Sequence, residues 1–218
     1  MSIERGRGQM GRGTRAGVVI YRLAKDTDNQ IFVEIGTWNG RGSTQCIMEP
    51  LLQRIDNCIL YSLEINQKFH NIAKETWKHK LRRYGPDASA KLKLIWGHVI
   101  EEEDDNVPTL TEVMKSEHSH DKWPQYYREF FDARDAGCPN VISEIPDKID
   151  VLLLDGGEFT SYADYQALKD RSKIIFCDDS SKYKCEKVRA ELLEDENFRT
   201  LYDEPDNRHG FCVFERIS

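Results

Sequence analysis

The stretch that decides the fold is Ile31-Phe32-Val33-Glu34-Ile35-Gly36-Thr37-Trp38-Asn39-Gly40-Arg41-Gly42-Ser43-Thr44. Its first five residues place four apolar side chains around one acid, which predicts a buried β-strand. Its three glycines then turn the chain sharply, and Ser43 or Thr44 is expected to cap the helix that follows. Glu34 is expected to face a ligand held against the bare backbone of the turn. The stretch therefore predicts a cofactor-binding strand–loop–helix unit, the alternative being an ordinary tight turn.

The spacing of the glycines discriminates between cofactors. A dinucleotide fingerprint G-x-G-x-x-G read from Gly40 lacks its third glycine, and the chain has no Gly-Lys-Ser/Thr ending of a phosphate-binding P-loop. The observed pattern E-x-G-x-x-x-G-x-G resembles the first motif of class I S-adenosylmethionine (SAM)-dependent methyltransferases. The resemblance implies that SAM is the cofactor and that the following residues bind it: Glu34, Gly36, Thr37, Trp38, Gly40, Gly42 and Ser43.

Strand and helix patterns alternate along the rest of the chain. Apolar runs of strand length recur at 58–63, 91–96, 149–155 and 173–177. Residues 199–203 and 211–216 predict a closing antiparallel pair. The alternation predicts an α/β fold, a doubly wound and mostly parallel seven-stranded sheet. The resemblance implies that the last strand inserts antiparallel, as in the Rossmann-like fold of class I methyltransferases.

The chain divides into a short N-terminal segment and one large domain. We predict that residues 1–25 are a flexible segment or linker, although 17–24 are apolar enough to pack as a short helix. Residues 26–218 then form the methyltransferase domain. The stretch 101–148 is too long for a simple connection and is predicted to be an insertion, either an acceptor lid or an interface. Its aromatic run from Trp123 to Phe131 either lines an acceptor site or packs on the core or a second subunit, and packing is favoured.

Two further strand ends carry candidate cofactor contacts. The second strand ends on Glu64, followed by Ile65, where α/β nucleoside-binding folds place an acid against ribose hydroxyls. The third strand runs into Gly97-His98, and the resemblance implies that these two residues border the adenine. Acids are common at this position in the family, so His98 departs from its usual pattern. The alternatives are a solvated strand-end glutamate and a surface histidine.

Three carboxylates follow the fourth and fifth strands. Asp155 ends one strand, and Asp178 and Asp179 end the next. Because the carboxyl ends of parallel strands share one edge of a sheet, these acids are expected to meet there and to repel one another unless a cation compensates. Oxygen ligands favour Mg²⁺, or alternatively Mn²⁺ or Ca²⁺. The other interpretation is that these acids are helix caps without a metal.

This arrangement resembles the metal site of metal-dependent O-methyltransferases, and the local sequence is closer to the sugar O-methyltransferases of macrolide and aminocoumarin pathways than to catechol-type enzymes. Many of those sugar enzymes carry Asp-Gly-Asp after the fourth strand, with the second aspartate as the proposed base. This chain has Gly157 at that place and Glu158 next to it. Since the family's base position is occupied by Gly157, we take the neighbouring Glu158 as the candidate base, with Asp155 as the second candidate catalytic residue, which also touches the cofactor.

These features predict a SAM-dependent, divalent-metal-assisted O-methyltransferase acting on a hydroxyl of a sugar or glycan. One alternative is a metal-free methyltransferase of small molecules. Another is a non-catalytic SAM-binding domain of a larger glycan-modifying protein. The chain has no Asn/Asp-Pro-Pro-Tyr motif, which disfavours amino-methylation of bases and glutamine.

The charge and composition of the chain limit the classes of partner that it is expected to bind. A net charge of −7 disfavours nucleic acid as a partner, and no apolar run approaches the ~20 residues of a membrane helix. The six cysteines show no zinc spacing and are predicted to be reduced thiols in a cytoplasmic protein. The expected partner is a small-molecule or glycan acceptor, with no nucleic acid and no membrane, and a homodimer is possible.

Overall fold

The computed structural model describes residues 10–101 and 104–218. Seven strands form one sheet in the order β3-β2-β1-β4-β5-β7-β6. The strands are β1 (Ile31–Ile35), β2 (Ile59–Glu64), β3 (Leu92–Trp96), β4 (Ile149–Leu154), β5 (Ser172–Asp178), β6 (Phe198–Glu204) and β7 (Phe211–Arg216). The first five strands are parallel, and β7 inserts antiparallel between β5 and β6. The predicted fold class is confirmed.

In the described part of the chain, seven α-helices pack around the sheet. They are α1 (Arg15–Lys25), α2 (Ser43–Leu51), α3 (Gln67–Leu81), α4 (Leu110–Lys115), α5 (Trp123–Asp135), α6 (Ser161–Leu168) and α7 (Glu186–Glu194). Within the described residues, no helix is long and apolar enough to cross a membrane. All six cysteines are buried and none is paired in a disulfide.

The two faces of the sheet carry separate apolar clusters because successive strand residues point to opposite faces. Val33 and Leu152 belong to one cluster, and Phe32 and Val151 belong to the other. The central strand β4 is buried on both faces, which explains its almost continuous apolar sequence.

The register aligns the carboxyl ends of the central strands. Ile35 of β1 pairs with Leu63 of β2 and with Leu154 of β4, and Leu154 pairs with Cys177 of β5. The loops that follow these strands therefore leave the sheet side by side.

The N-terminal prediction is wrong from residue 15 onward. Residues 15–25 are helix α1, whose first turn is capped by Thr14 (Gly17 N to Oγ1, 3.0 Å). Val19, Ile20 and Ala24 are buried in the core, so this part of the predicted flexible segment is held by packing, and the short helix predicted over 17–24 is confirmed. Residues 1–9 of the predicted segment lie outside the described residues.

Candidate functional site

A cavity of about 620 Å³ lies at the carboxyl edge of the sheet, within the size range of small-molecule sites. Most of the predicted site residues line it: Gly36, Thr37, Trp38, Gly42, Ser43, Glu64, Ile65, Gly97, His98, Asp155, Glu158, Asp178 and Asp179. The sheet register thus brings together residues from the ends of five strands.

Gly36 brings the ends of β1 and β4 into contact. Its φ is +100°, and a Cβ added there would lie 2.3 Å from the carbonyl oxygen of Asp155. The backbone N–H groups of Gly36 and Thr37 both donate to the carbonyl of Leu63, at 3.0 and 2.9 Å. Only glycine fits this position, because the chain must leave β1 in a left-handed conformation against a neighbouring backbone.

Glu34 does not line the cavity, which corrects the expectation that it faces the ligand. Its side chain is fully buried, and one carboxylate oxygen accepts hydrogen bonds from the hydroxyls of Thr44 (2.7 Å) and Ser62. Burial raises the pKa of Glu34, against the hydroxyl hydrogen bonds that lower it. Thr44 therefore ties α2 to β1 instead of capping the helix, whose N-cap is Gly42.

Gly40 also lies outside the cavity. A Cβ there would lie 2.7 Å from Nε1 of Trp77, and that nitrogen donates to the Gly40 carbonyl at 3.0 Å. Gly40 and Glu34 therefore support the loop from behind, and the predicted contact of Gly40 with the cofactor is corrected as well.

Glu64 is held in the cavity wall by two backbone donors. The N–H groups of Trp38 (2.6 Å) and Asn66 (2.9 Å) donate to its two carboxylate oxygens. Its burial raises the pKa to about 7, against these hydrogen bonds, which lower it. A fixed, buried carboxylate with spare lone pairs is suited to accept hydrogen bonds from ribose hydroxyls.

The next strand end closes one side of the cavity. A Cβ on Gly97 would lie 2.6 Å from the side chain of Val141, so the insertion packs directly on this backbone. His98 is buried and its Nδ1 has no hydrogen-bond partner among the described residues. Burial lowers the pKa of His98, which keeps the ring neutral near pH 7. The ring packs edge-on against Phe130, with 6.2 Å between centroids. This arrangement leaves one imidazole nitrogen for a ligand.

The three aspartates meet at one edge, each beside a protein cation. Lys184 Nζ lies 2.6 Å from Asp155 Oδ1 and 3.5 Å from Asp179 Oδ2. Arg208 Nη2 lies 2.6 Å from both oxygens of Asp178 and 3.1 Å from Asp179 Oδ1. Burial lowers the pKa of Lys184, but the three carboxylates raise it by more, so the ammonium stays protonated.

This geometry does not fit the predicted divalent ion. Both oxygens of Asp178 bind Arg208, and Lys184 lies between Asp155 and Asp179. Among the described residues, the one group of three or more metal-binding side chains with all ligand atoms within 4.8 Å of one another is Glu117, His118 and Glu186, which includes none of the three aspartates. The repulsion between the aspartates is therefore compensated by two side-chain cations.

Two further carboxyl groups line the cavity. Glu158 follows β4, and burial raises its pKa, opposed by the charge of Lys184. Asp164, in the first turn of α6, is 3% exposed, and burial raises its pKa to about 7. Sequence reasoning missed Asp164, since a helix-start acid usually reads as a solvated charge.

Helix α5 combines the two roles that the aromatic run left open. Trp123 is buried against Phe159 and Tyr183, each at 5.2 Å between ring centroids, which is core packing. Tyr126 and Phe130 line the cavity. One side of the insertion thus packs on the domain while another borders the site.

Sequence reasoning also missed Lys184 and Arg208. Lys184 lies in the loop after β5, so its position on the ligand-binding edge was a usable signal. Arg208 reaches the edge because the β6–β7 turn folds back over Asp179, with Ser180 N donating to Gly210 O (3.2 Å) and Ser181 N to His209 O (3.0 Å). No sequence pattern predicts that contact.

A larger groove of about 1440 Å³ lies on the other side of the loop and shares only Gly42 with the cavity. It is lined by basic residues such as Arg41 and Lys80, and it contains none of the predicted acids. The chemistry of a nucleoside site therefore belongs to the smaller cavity.

Comparisons with known proteins agree with the fold. No family model and no curated protein matches the sequence. The chain has the fold of class I methyltransferases, as solved structures show. A methyltransferase from Geobacter sulfurreducens is 13% identical with a TM-score of 0.57, over 94% of this chain and 80% of that one.

Two O-methyltransferases with bound ligand show the same likeness. The enzyme from Bacillus cereus in complex with SAH is 11% identical with a TM-score of 0.57, over 92% of this chain and 80% of that one. TomG from Streptomyces achromogenes in complex with SAM is 11% identical with a TM-score of 0.54, over 93% and 79%. At these identities the similarity establishes the fold.

Proposed function

We propose that this chain is a SAM-dependent O-methyltransferase that acts on a hydroxyl of a sugar, glycan or other small molecule. The observation that carries the proposal is a single cavity that joins the buried carboxylate of Glu64 to the carboxyl groups of Asp155 and Glu158. Solved O-methyltransferases of this fold bind SAM or SAH, which supports the cofactor.

The residues present fit SAM. Glu64 is placed to accept hydrogen bonds from the ribose, and the free Nδ1 of His98 is available to the adenine. The backbone at Gly36 and Gly42 borders the cavity without a side chain. SAM supplies a methyl group on a positively charged sulfur, and the carboxyl groups of the cavity attract that charge.

The chain's own residues supply orientation and a proton acceptor. A hydroxyl oxygen must be aligned with the methyl carbon, which is mainly an effect of positioning. Glu158 lies in the same cavity and is the candidate base that takes the hydroxyl proton. Tyr126 and Phe130 offer aromatic surfaces on which a sugar ring can stack, which supports the sugar or glycan part of the proposal.

Of the two alternatives to metal-assisted transfer, one has support from specific contacts. The pairing of the three aspartates with Lys184 and Arg208 favours metal-free transfer over the predicted metal assistance. A non-catalytic SAM-binding domain has the same cavity and differs in lacking turnover.

Titration and turnover separate these cases. SAH is titrated calorimetrically into the protein, and a panel of rhamnosides, other glycosides and catechols is then assayed for a mass gain of one methyl, with Mg²⁺ and with EDTA. We expect binding and turnover, and Glu158→Gln should lower kcat by about 10²-fold or more with SAH affinity preserved. The exposed Glu194→Gln is the matched control. Absence of SAH binding contradicts the proposal, and binding without turnover favours the non-catalytic domain.

The affinity for SAH should fall at acid pH because of Glu64. The ionised carboxylate accepts hydrogen bonds from ribose hydroxyls, and burial raises its pKa to about 7. The ionised fraction therefore falls from about nine-tenths at pH 8 to about one-tenth at pH 6, which predicts roughly tenfold weaker binding at pH 6. Calorimetry at the two pH values measures this ratio.

The control for this pH effect is Glu64→Gln. Asp164 also has a pKa of about 7 and lines the same cavity, so the wild-type ratio alone does not assign the effect. We expect Glu64→Gln to bind SAH weakly with a much smaller ratio between the two pH values. If the variant keeps the wild-type ratio of affinities, Glu64 does not bind the ribose.

A further inference from the structure

Lys184 is a buried cation inside the candidate active site. Its side chain is 6% exposed, and it lines the cavity together with the carboxyl groups that were predicted to hold a metal. The loop that carries it is fixed at both ends, since Lys182 N donates to Asp179 O (3.0 Å) and Glu186 N donates to Lys182 O (2.9 Å). The ammonium is therefore held in place by the backbone as well as by its carboxylate partners.

Two side-chain cations already supply the positive charge that a divalent ion would bring. When all three aspartates are ionised, they carry three negative charges against the two positive charges of Lys184 and Arg208. Burial raises the pKa of Asp155 to about 7, and the charge of Lys184 opposes that rise and favours the ionised form. A divalent ion would contribute the same two charges to the same three carboxylates. To bind there it would have to displace Lys184 from Asp155, which would leave the buried ammonium without its nearest carboxylate.

The ammonium also has donor capacity for a substrate. It has three N–H groups; one bonds Asp155 at 2.6 Å and another faces Asp179 at 3.5 Å. The third is left for an oxygen atom in the cavity. Glu158 lines the same cavity, and its pKa responds to the charge of Lys184, so the two groups interact electrostatically.

We propose that Lys184 takes the place of the divalent ion in this site and donates a hydrogen bond to the acceptor oxygen, so that methyl transfer needs no metal. This inference rests on the proposed function. The acceptor oxygen forms a bond to the methyl carbon as the carbon–sulfur bond of SAM breaks and its electron pair goes to sulfur, which becomes neutral. The hydroxyl proton goes to the carboxylate of Glu158. Lys184 stays protonated throughout and stabilises the negative charge that develops on the oxygen.

A metal-binding measurement tests the inference without any turnover. Mn²⁺ is titrated into the protein and followed by electron paramagnetic resonance, in a His118→Ala background that disables the Glu117–His118–Glu186 cluster. The chain with Lys184 should bind no Mn²⁺ at the three aspartates. Lys184→Met, which frees the carboxylates, should gain Mn²⁺ binding by about tenfold or more, and adding Asp179→Ala should remove it. Tight Mn²⁺ binding that Asp179→Ala abolishes while Lys184 is present would overturn the inference.

Turnover gives the second readout. The wild-type rate in EDTA should be within about twofold of the rate with Mg²⁺. This comparison uses only the wild-type protein, so it does not depend on the folding of any variant. Lys184→Met should lower kcat by about 10²- to 10³-fold while leaving the Kd for SAH within about threefold. Lys187→Met is the matched control, because Lys187 lies over the ring of Tyr162 (3.6 Å) and does not line the cavity.

The outcomes distinguish the two proposals. If activity is lost in EDTA and Mg²⁺ restores it, the role of Lys184 is overturned while the proposed methyltransferase function stands. A fully active Lys184→Met variant would have the same meaning. If no acceptor is methylated, the proposed function fails, and the Mn²⁺ titration still shows whether Lys184 or an ion holds the three aspartates.

Discussion

Replacing Gly36 by alanine is expected to destabilise the protein by about 4 kcal/mol or more and to abolish SAH binding. The residue has a φ of +100°, and an added Cβ would lie 2.3 Å from Asp155 O and 2.6 Å from Asp155 C. These atoms belong to backbone, so relief requires separating the ends of β1 and β4. Denaturant unfolding gives the free energy, and calorimetry gives the binding.

The control for this effect is Gly137→Ala. Gly137 also has a positive φ, +89°, but nothing lies within 4 Å of an added Cβ. Its substitution should lower the free energy of unfolding by about 1–2 kcal/mol, which is the cost of placing an alanine in a left-handed backbone conformation. If Gly36→Ala is no more destabilising than Gly137→Ala, the ends of β1 and β4 are not in the close contact described here.

Removing the guanidinium of Arg208 should have the second largest effect. The side chain of Asp178 is 3% exposed, and Arg208 Nη2 binds both of its oxygens at 2.6 Å. Arg208→Ala leaves a buried carboxylate without this cation, which we expect to destabilise the protein by about 3–5 kcal/mol. Chemical denaturation with a two-state fit measures this loss.

Two comparisons make this prediction specific. Arg208→Ala combined with Asp178→Asn should recover part of the loss, since the buried charge is then removed. Arg199→Ala breaks an ion pair with Glu215 in which the arginine side chain is 62% exposed, and it should cost less than about 1 kcal/mol. Equal losses for Arg208→Ala and Arg199→Ala would contradict the structural role of Arg208.

The fold could be predicted from the sequence because the apolar pattern of each strand agrees with the place of that strand in the sheet. The apolar run 149–154 predicts a strand covered on both faces, and β4 lies at the centre of the sheet. The same logic predicted that Asp155, Asp178 and Asp179 meet, since parallel strands end at one edge. Contacts that follow from strand direction were therefore predictable.

Contacts that depend on side-chain packing could not be predicted from the sequence. Glu34 fits the motif, yet its carboxylate points inward to Thr44 and Ser62. Gly40 is required by the indole of Trp77, a residue far along the chain. These two residues show that a motif locates a loop without specifying which of its side chains face the ligand.

The compensation of charge was the least predictable part of the site. Three converging acids require positive charge, and the sequence alone does not distinguish an ion from side chains. Arg208 reaches Asp178 only through the tertiary fold of the β6–β7 turn. A lysine in the loop after β5 was visible, but its pairing with Asp155 depends on the position of two loops.

A crystal structure of the protein grown with SAH and Mg²⁺ tests the central claim most directly, because it locates the nucleoside and any ion together. Our account predicts SAH in the 620 Å³ cavity, with its ribose on Glu64 and its adenine beside His98, and with Lys184 still bound to Asp155. SAH in the basic groove beside Arg41 and Lys80, or a magnesium ion among the three aspartates with Lys184 displaced, would contradict it.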